Sequence, residues 1–190
     1  MALDSSNVRV GVTGAWYLAT TSTAAAPTDT SKLGVGWTDL GYTSDDGVTE
    51  ARDISANDIN GWQNGDLLRR VVTSAAMTIH AVLVETKRET VGLYYGTKVA
   101  ADGSVKIVPS KTGGRQKHVI DVIDGEEFIR TYIPQGEITD VGDQVYANGE
   151  PIGYDVTITA YPDPSILDDE GNPATAVKWY ASLADDTGEE

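Results

Sequence analysis

The chain contains no cysteine. Disulfide stapling, thiol nucleophiles and cysteine-based zinc sites are therefore excluded, and nothing marks an oxidising compartment. Histidine is scarce. His80 and His118 are the only two, and neither has a second histidine at a metal-ligand spacing. A zinc site would need both of them plus carboxylates gathered from distant positions, so each reads as a structural or surface residue. Long apolar runs are also missing. The most apolar segment, AAMTIHAVLVE, contains His80 and is too short to span a bilayer. The first residues, Met-Ala-Leu-Asp, have no positive region leading into an apolar stretch, so no signal peptide is expected. Basic residues are few, 14 against 29 acidic ones, for a net charge of −15. Such a surface repels phosphate, disfavours ordinary nucleic-acid binding and promotes solubility.

Catalytic signatures are equally sparse. There is no phosphate-binding glycine loop and no Gly-x-Ser-x-Gly elbow. DPSILDDEGN has the acids of a calcium loop without the required Asp-x-Asp-x-Asp-Gly spacing. Carboxylate pairs abound, as in any acidic protein, and nothing selects one as a glycosidase pair. No catalytic or metal-binding residue is nominated, no cofactor is expected, and the reading points away from an enzyme.

What the sequence does have is strand pattern. At 190 residues it suits one domain, and a chain of this length buries about 70% of its unfolded surface without staples. VRVGVTGAWYLAT alternates, with Val8, Val10, Val12, Trp16 and Leu18 on one face, the period of a half-buried strand. RRVVTSAAMTIHAVLVE reads as one strand of roughly 50 Å at about 3.3 Å per residue. Asp124-Gly125 and Asn148-Gly149 each sit between alternating runs and predict two further hairpins. One helix is expected, opened by a capping box from Thr86 to Glu89 and closed by Gly96. The expected class is mainly β, with a single domain over residues 1–180 and an acidic tail over residues 181–190.

Three stretches attract functional attention. In WTDLGYTSDDGVTE, the residues Ser44, Asp45, Asp46 and Gly47 read as a turn at one rim of the subunit, where local hydrogen bonds explain the acids. Residues 53–66 are polar and read as an extended loop, too long for an ordinary connection. Asp53, Asn57, Asp58, Gln63 and Asn64 would be its polar contacts, and the lone Trp62 an apolar anchor on a neighbour. The third stretch is basic: Lys98, Lys106, Lys111, Arg115 and Lys117 against a single acid, Asp102, whereas twelve acids and one base follow from Asp140 onward. Lys106, Lys111, Arg115 and Lys117 are candidates to meet that acidic stretch across a subunit boundary.

Taken in order, VRVGVTGAWYLATTSTAAAPTDTS, WTDLGYTSDDGVTE, WQNGDLLRRVVTSAAMTIHAVLVETKRETVGLYYG and YDVTITAYPD resemble the major tail tube proteins of long-tailed bacteriophages, especially those infecting actinobacteria. The resemblance covers most of the chain. It implies a β-sandwich or barrel with one flanking α-helix, the inner sheets closing into a barrel within a hexameric ring. It also implies rings stacked into a tube that first holds a tape measure protein and later passes DNA. The implied partners are further copies of the chain, a tail terminator and distal tail proteins, without a membrane. The implied location is the virion tail, assembled in the bacterial host cytoplasm. The chain ends soon after its last strand, so the additional immunoglobulin-like domain of some relatives is not expected. The competing reading is a small β-sandwich module that binds carbohydrate or adheres. It would favour a surface row of aromatics, whereas the tyrosines here fall mostly within strands or on the helix.

Overall fold

The computed structural model describes Leu3 and residues 5–184. Two of the acids in the proposed tail, Asp185 and Asp186, and the last four residues lie outside that range; the start of the tail is a single 3-10 turn, Ala181–Leu183.

Among the described residues, ten strands and one α-helix follow in order: β1 Thr13–Ala19, β2 Trp37–Asp39, β3 Thr43–Asn60, β4 Leu67–Leu83, α1 Arg88–Tyr94, β5 Gln116–Asp124, β6 Glu127–Val141, β7 Tyr154–Ala160, β8 Asp163–Leu167, β9 Pro173–Ala174 and β10 Val177–Tyr180. The main sheet is antiparallel, in the order β2-β1-β5-β6-β7-β4-β3, with β10 added beside β6 and a separate β8-β9 pair. Strand β6 joins the two wings. Ile129 to Tyr132 lie between β5 and β10, and Gly136 to Val141 pair with β7. Trp16, Leu18 and Ile120 from one wing pack with Ile79, Leu83, Val156 and Ile158 from the other in one buried cluster. The sheet therefore wraps around a shared core, and Leu93 of α1 joins it from the flank. The sheet remains open within the chain, ending at β2 and β3.

Several expectations are corrected. The period-two run does not all belong to β1. Val8, Val10 and Val12 precede the strand and are well exposed, because no layer faces them. Val12 N–H donates to the Ile123 carbonyl and Val10 N–H to the Asp124 carboxylate, while Val8 N–H donates back to the Ser5 carbonyl. The capping box does not form. The helix starts one residue later, after Lys87, without a side-chain cap, and the Thr86 hydroxyl bonds Tyr154 instead. Gly96 does terminate it, at φ 60°. The first predicted hairpin is present but shifted by one residue. Asp124 pairs with Glu127, leaving Gly125 and Glu126 as the loop, the pattern of a type II′ turn. The second is absent: Asn148 and Gly149 turn inside an irregular connection, since β7 pairs with β4 and β6.

The long strand is as expected: β4 runs 17 residues. What the sequence hid is its partner. Residues 53–60 are not loop but the distal half of β3, paired with β4 from Glu50↔Ile79 out to Asn60↔Leu67. The connection proper is only residues 61–66, with Asn64 and Gly65 at φ 58° and 69°. The polar sequence misled because this half of the hairpin is solvent-exposed on both faces, so no inward side demands apolar alternation.

Candidate assembly surfaces

The first surface is the arm formed by the outer halves of β3 and β4. Beyond Ala51 nearly every residue is exposed. The arm nevertheless carries Ile54, Ile59, Leu67, Leu68 and Val72, and at its tip Trp62, which is 96% exposed. Two strands alone are marginal in water. Local support comes from the Arg70–Asp58 ion pair at 2.9 Å and from Thr73, whose hydroxyl donates to the Ser55 carbonyl across a bulge. Asp53, Asn57 and Asp58 lie on the arm's β3 side, and Gln63 and Asn64 on its connection.

Ser44, Asp45, Asp46 and Gly47 are not a turn between two strands. They form a bulge inside β3, where the register steps from Thr43↔Leu83 to Val48↔Ala81. Gly47 at φ 68° accommodates the extra residues. Asp45 and Asp46 point into solvent on the rim of a groove between β1 and β3.

The basic residues separate into two groups. Arg115 lies 4.0 Å from Glu137 and stacks over the Tyr161 ring at 4.2 Å. Lys117 donates to the Ala24 carbonyl at 2.9 Å and tethers the loop after β1. Both are committed within the subunit. Lys106 and Lys111 are exposed on the irregular segment between α1 and β5. Among the described residues, no ion pair joins this segment to the acids from Asp140 onward.

A further surface was not anticipated. Cross-strand partners share a face, so the register sorts the residues of β3, β4, β6 and β7. Ile79, Ala81, Val156 and Ile158 face the core. The opposite face carries Thr49, Ala51 and Asp53 on β3, Ala76, Thr78 and His80 on β4, Asp155, Thr157 and Thr159 on β7, and Glu137 and Thr139 on β6. None of these residues is a lysine or arginine; Arg69, opposite Ile59, follows on the same face farther out along the arm, and Arg115 approaches Glu137 from just before β5. Thr139 and Thr159 hydroxyls meet at 2.8 Å, and His80 Nε2 lies 2.8 Å from the Asp155 carboxylate. The sequence signal was present as the alternate residues of the runs SAAMTIHAV and YDVTITA, but the lengths alone did not say which face was covered.

Two buried polar devices hold the other wing. Asp121 and Arg130 sit directly opposite on β5 and β6, each 3% exposed, and form a bidentate pair with both N···O distances at 2.7 Å. The remaining Arg130 nitrogen donates to the carbonyls of Asp29 and Ser31, pinning the loop between β1 and β2. His118 is fully buried. Its Nδ1 accepts the Trp16 indole N–H at 3.1 Å, so the proton of the neutral ring sits on Nε2, which finds no hydrogen-bond partner. Burial pushes its pKa down to about 4; the nearby Gly136 backbone favours the charged form slightly, without the geometry of a true bond. In the β8-β9 region, the Asp168 carboxylate accepts from the Asn172 backbone N–H and side-chain amide, and from the Glu170 backbone N–H, which holds its pKa below the usual range. The acids of DPSILDDEGN thus shape a local turn, and among the described residues no group of three His, Asp or Glu gathers as metal ligands.

The sequence matches the family described as phage tail tube protein over residues 1–182. The chain belongs to that family. Its role is therefore structural, as a component of a virion tail. Among solved structures, a chain from the "virion of native gene transfer agent (GTA) particle" is similar, at 13% identity and a TM-score of 0.38, over 70% of this chain and 89% of that one. No curated protein matches the sequence.

Proposed function

We propose that this chain polymerises as stacked hexameric rings into a hollow tail tube, with the polar face of β3, β4, β6 and β7 lining the lumen. The observation that carries the reading is the arm: a two-stranded extension exposed on both faces yet carrying Ile54, Ile59, Leu67, Val72 and Trp62. Apolar side chains at that density on an unsupported hairpin are covered by something, and a neighbouring subunit supplies the cover. The open sheet edges at β2 and along the outer half of β3 support the same conclusion, because a ring of copies joins such edges into one closed barrel. Rings stacked head to tail make a heterologous contact that propagates as a filament.

A lumen face dominated by threonine, alanine and carboxylate, and poor in cations, repels the phosphate backbone and lets DNA slide. Six copies at −15 each place the whole wall under negative potential. The tube assembles in the host cytoplasm around a tape measure protein, bounded by tail terminator and distal tail proteins, and DNA transits without specific binding. Negative-stain imaging of the purified protein tests the reading. Rings or tubes are the expected result, and a monodisperse monomer at high concentration contradicts it.

A further inference from the structure

The sheet leaves a seam. Strand β2 pairs β1 only over Tyr17 to Ala19, so Thr13, Gly14 and Ala15 are paired with β5 on one side and with no strand on the other. Across from them runs the outer edge of β3, which also has no strand partner. Between the two edges lies a groove of about 700 Å³. Its ionisable rim consists of Asp39, Asp45, Asp46 and Glu85, against Lys87 alone; Asp121 at its floor is already matched by Arg130. Lys87 is itself paired with Glu85 at 2.7 Å, so the acids of the bulge have no cationic partner among the described residues.

Elsewhere on the chain is a segment with the complementary properties. Residues 104–108, Ser-Val-Lys-Ile-Val, have strand composition, yet they belong to no strand. Ile107 is 58% exposed and Val108 41%, and Lys106, between them and Val105, has no acidic partner among the described residues. The segment is presented rather than loose. Arg88 donates to the carbonyls of Ala100 and Ala101, and Lys111 N–H donates to the Val108 carbonyl. Five residues of strand cover about 16 Å, a length that matches the free side of residues 11–15, which line the groove.

We propose that residues 104–108 of a second copy enter the seam between β1 and β3 as an added strand, with Lys106 facing Asp45 and Asp46. The inference rests on the reading of the chain as a self-assembling tube protein. It identifies which two surfaces meet. Main-chain hydrogen bonds to the two unpaired edges supply the affinity, Ile107 and Val108 are withdrawn from water, and the lysine sets register and orientation.

The absence of native cysteine makes the test direct. Copies carrying Lys106→Cys are mixed with copies carrying Asp46→Cys and oxidised under assembling conditions; a control mixture pairs Lys106→Cys with Asp169→Cys. Docking raises the effective concentration of the first pair to the millimolar range, so its heterodimer forms about tenfold or more faster than the control. Tubes visible by electron microscopy with equal rates for both pairs overturn the proposal. A preparation of the unmodified chain that gives neither rings nor tubes overturns the tube reading instead. Charge exchange gives a second readout: Lys106→Glu slows assembly, and adding Asp45→Lys with Asp46→Lys restores it. Subunits that stay folded by circular dichroism but are not restored by the exchange also overturn the docking.

Discussion

At the scale of single residues, His118 is stabilising because it is neutral. Its folded pKa of about 4 lies below the ordinary value of 6.5, since a fully buried ring away from any carboxylate resists charging. The unfolded chain therefore takes up the proton first as pH falls. The contribution is complete above pH 6.5, shrinks between 6.5 and 4, and changes no further below that. The loss amounts to about 3 kcal/mol at roughly 1.4 kcal/mol per pKa unit. Urea unfolding of dilute subunits at several pH values checks this. His118→Gln, which keeps an acceptor for the Trp16 indole, is expected to flatten the slope across that window while leaving the carboxylate losses at lower pH in place. An unchanged slope would show that the ring is not the group responsible. The Asp121–Arg130 pair makes a different prediction. Breaking it strands a charge in the interior, so Asp121→Asn or Arg130→Met is expected to cost about 3–5 kcal/mol. Because Arg130 also holds the Asp29 and Ser31 carbonyls, the loop between β1 and β2 should show faster hydrogen exchange in Arg130→Met.

At the scale of elements, substitutions in the arm and the bulge are expected to separate assembly from folding. Trp62 makes no contribution to the buried cluster, so Trp62→Ala is expected to leave the subunit's melting temperature unchanged and to impair polymerisation. Truncating an interface tryptophan commonly costs about 2 kcal/mol or more. A large loss of subunit stability would show that the side chain belongs to its own fold. Replacing Asp45 and Asp46 by Asn should likewise preserve the fold, because both are exposed within the bulge, and should alter assembly alone. Circular dichroism and light scattering on the same sample distinguish the two effects. Legibility follows the same line. Strands with one covered face were readable: β7 alternates buried and half-buried residues without interruption, and the sequence shows it. The outer half of β3 was not, because a strand with two wet faces has no inward side and its composition is that of a loop. Val8, Val10 and Val12 failed in the opposite sense, since they alternate as if covered and are exposed in the single subunit. The Asp121–Arg130 pair became visible only once the turn fixed the register of β5 on β6. The polar face could not be assigned before β4 was placed between β3 and β7.

At the scale of the whole molecule, the surplus of acid and the few exposed lysines lead to the expectation that assembly is sensitive to salt. The screening length falls from about 8 Å in physiological salt to about 3 Å at 1 M. Encounter between subunits is expected to slow at high salt, whereas finished tubes, held by β contacts and buried apolar side chains, persist. Reversing Lys106 and Lys111 to Glu should slow assembly more than reversing Lys32, which lies outside the cluster; Arg115 and Lys117 are poor probes because they brace their own subunit. Assembly rates indifferent to salt, measured by light scattering, would remove charge from the account. The central claim is the tube itself and the face that lines it. A cryo-electron microscopy reconstruction of the assembled protein measures both at once. The account predicts a hollow tube of six subunits per ring with Thr78, His80, Thr157 and Thr159 on the lumen wall, and a tube with that face turned outward or buried between subunits would contradict it.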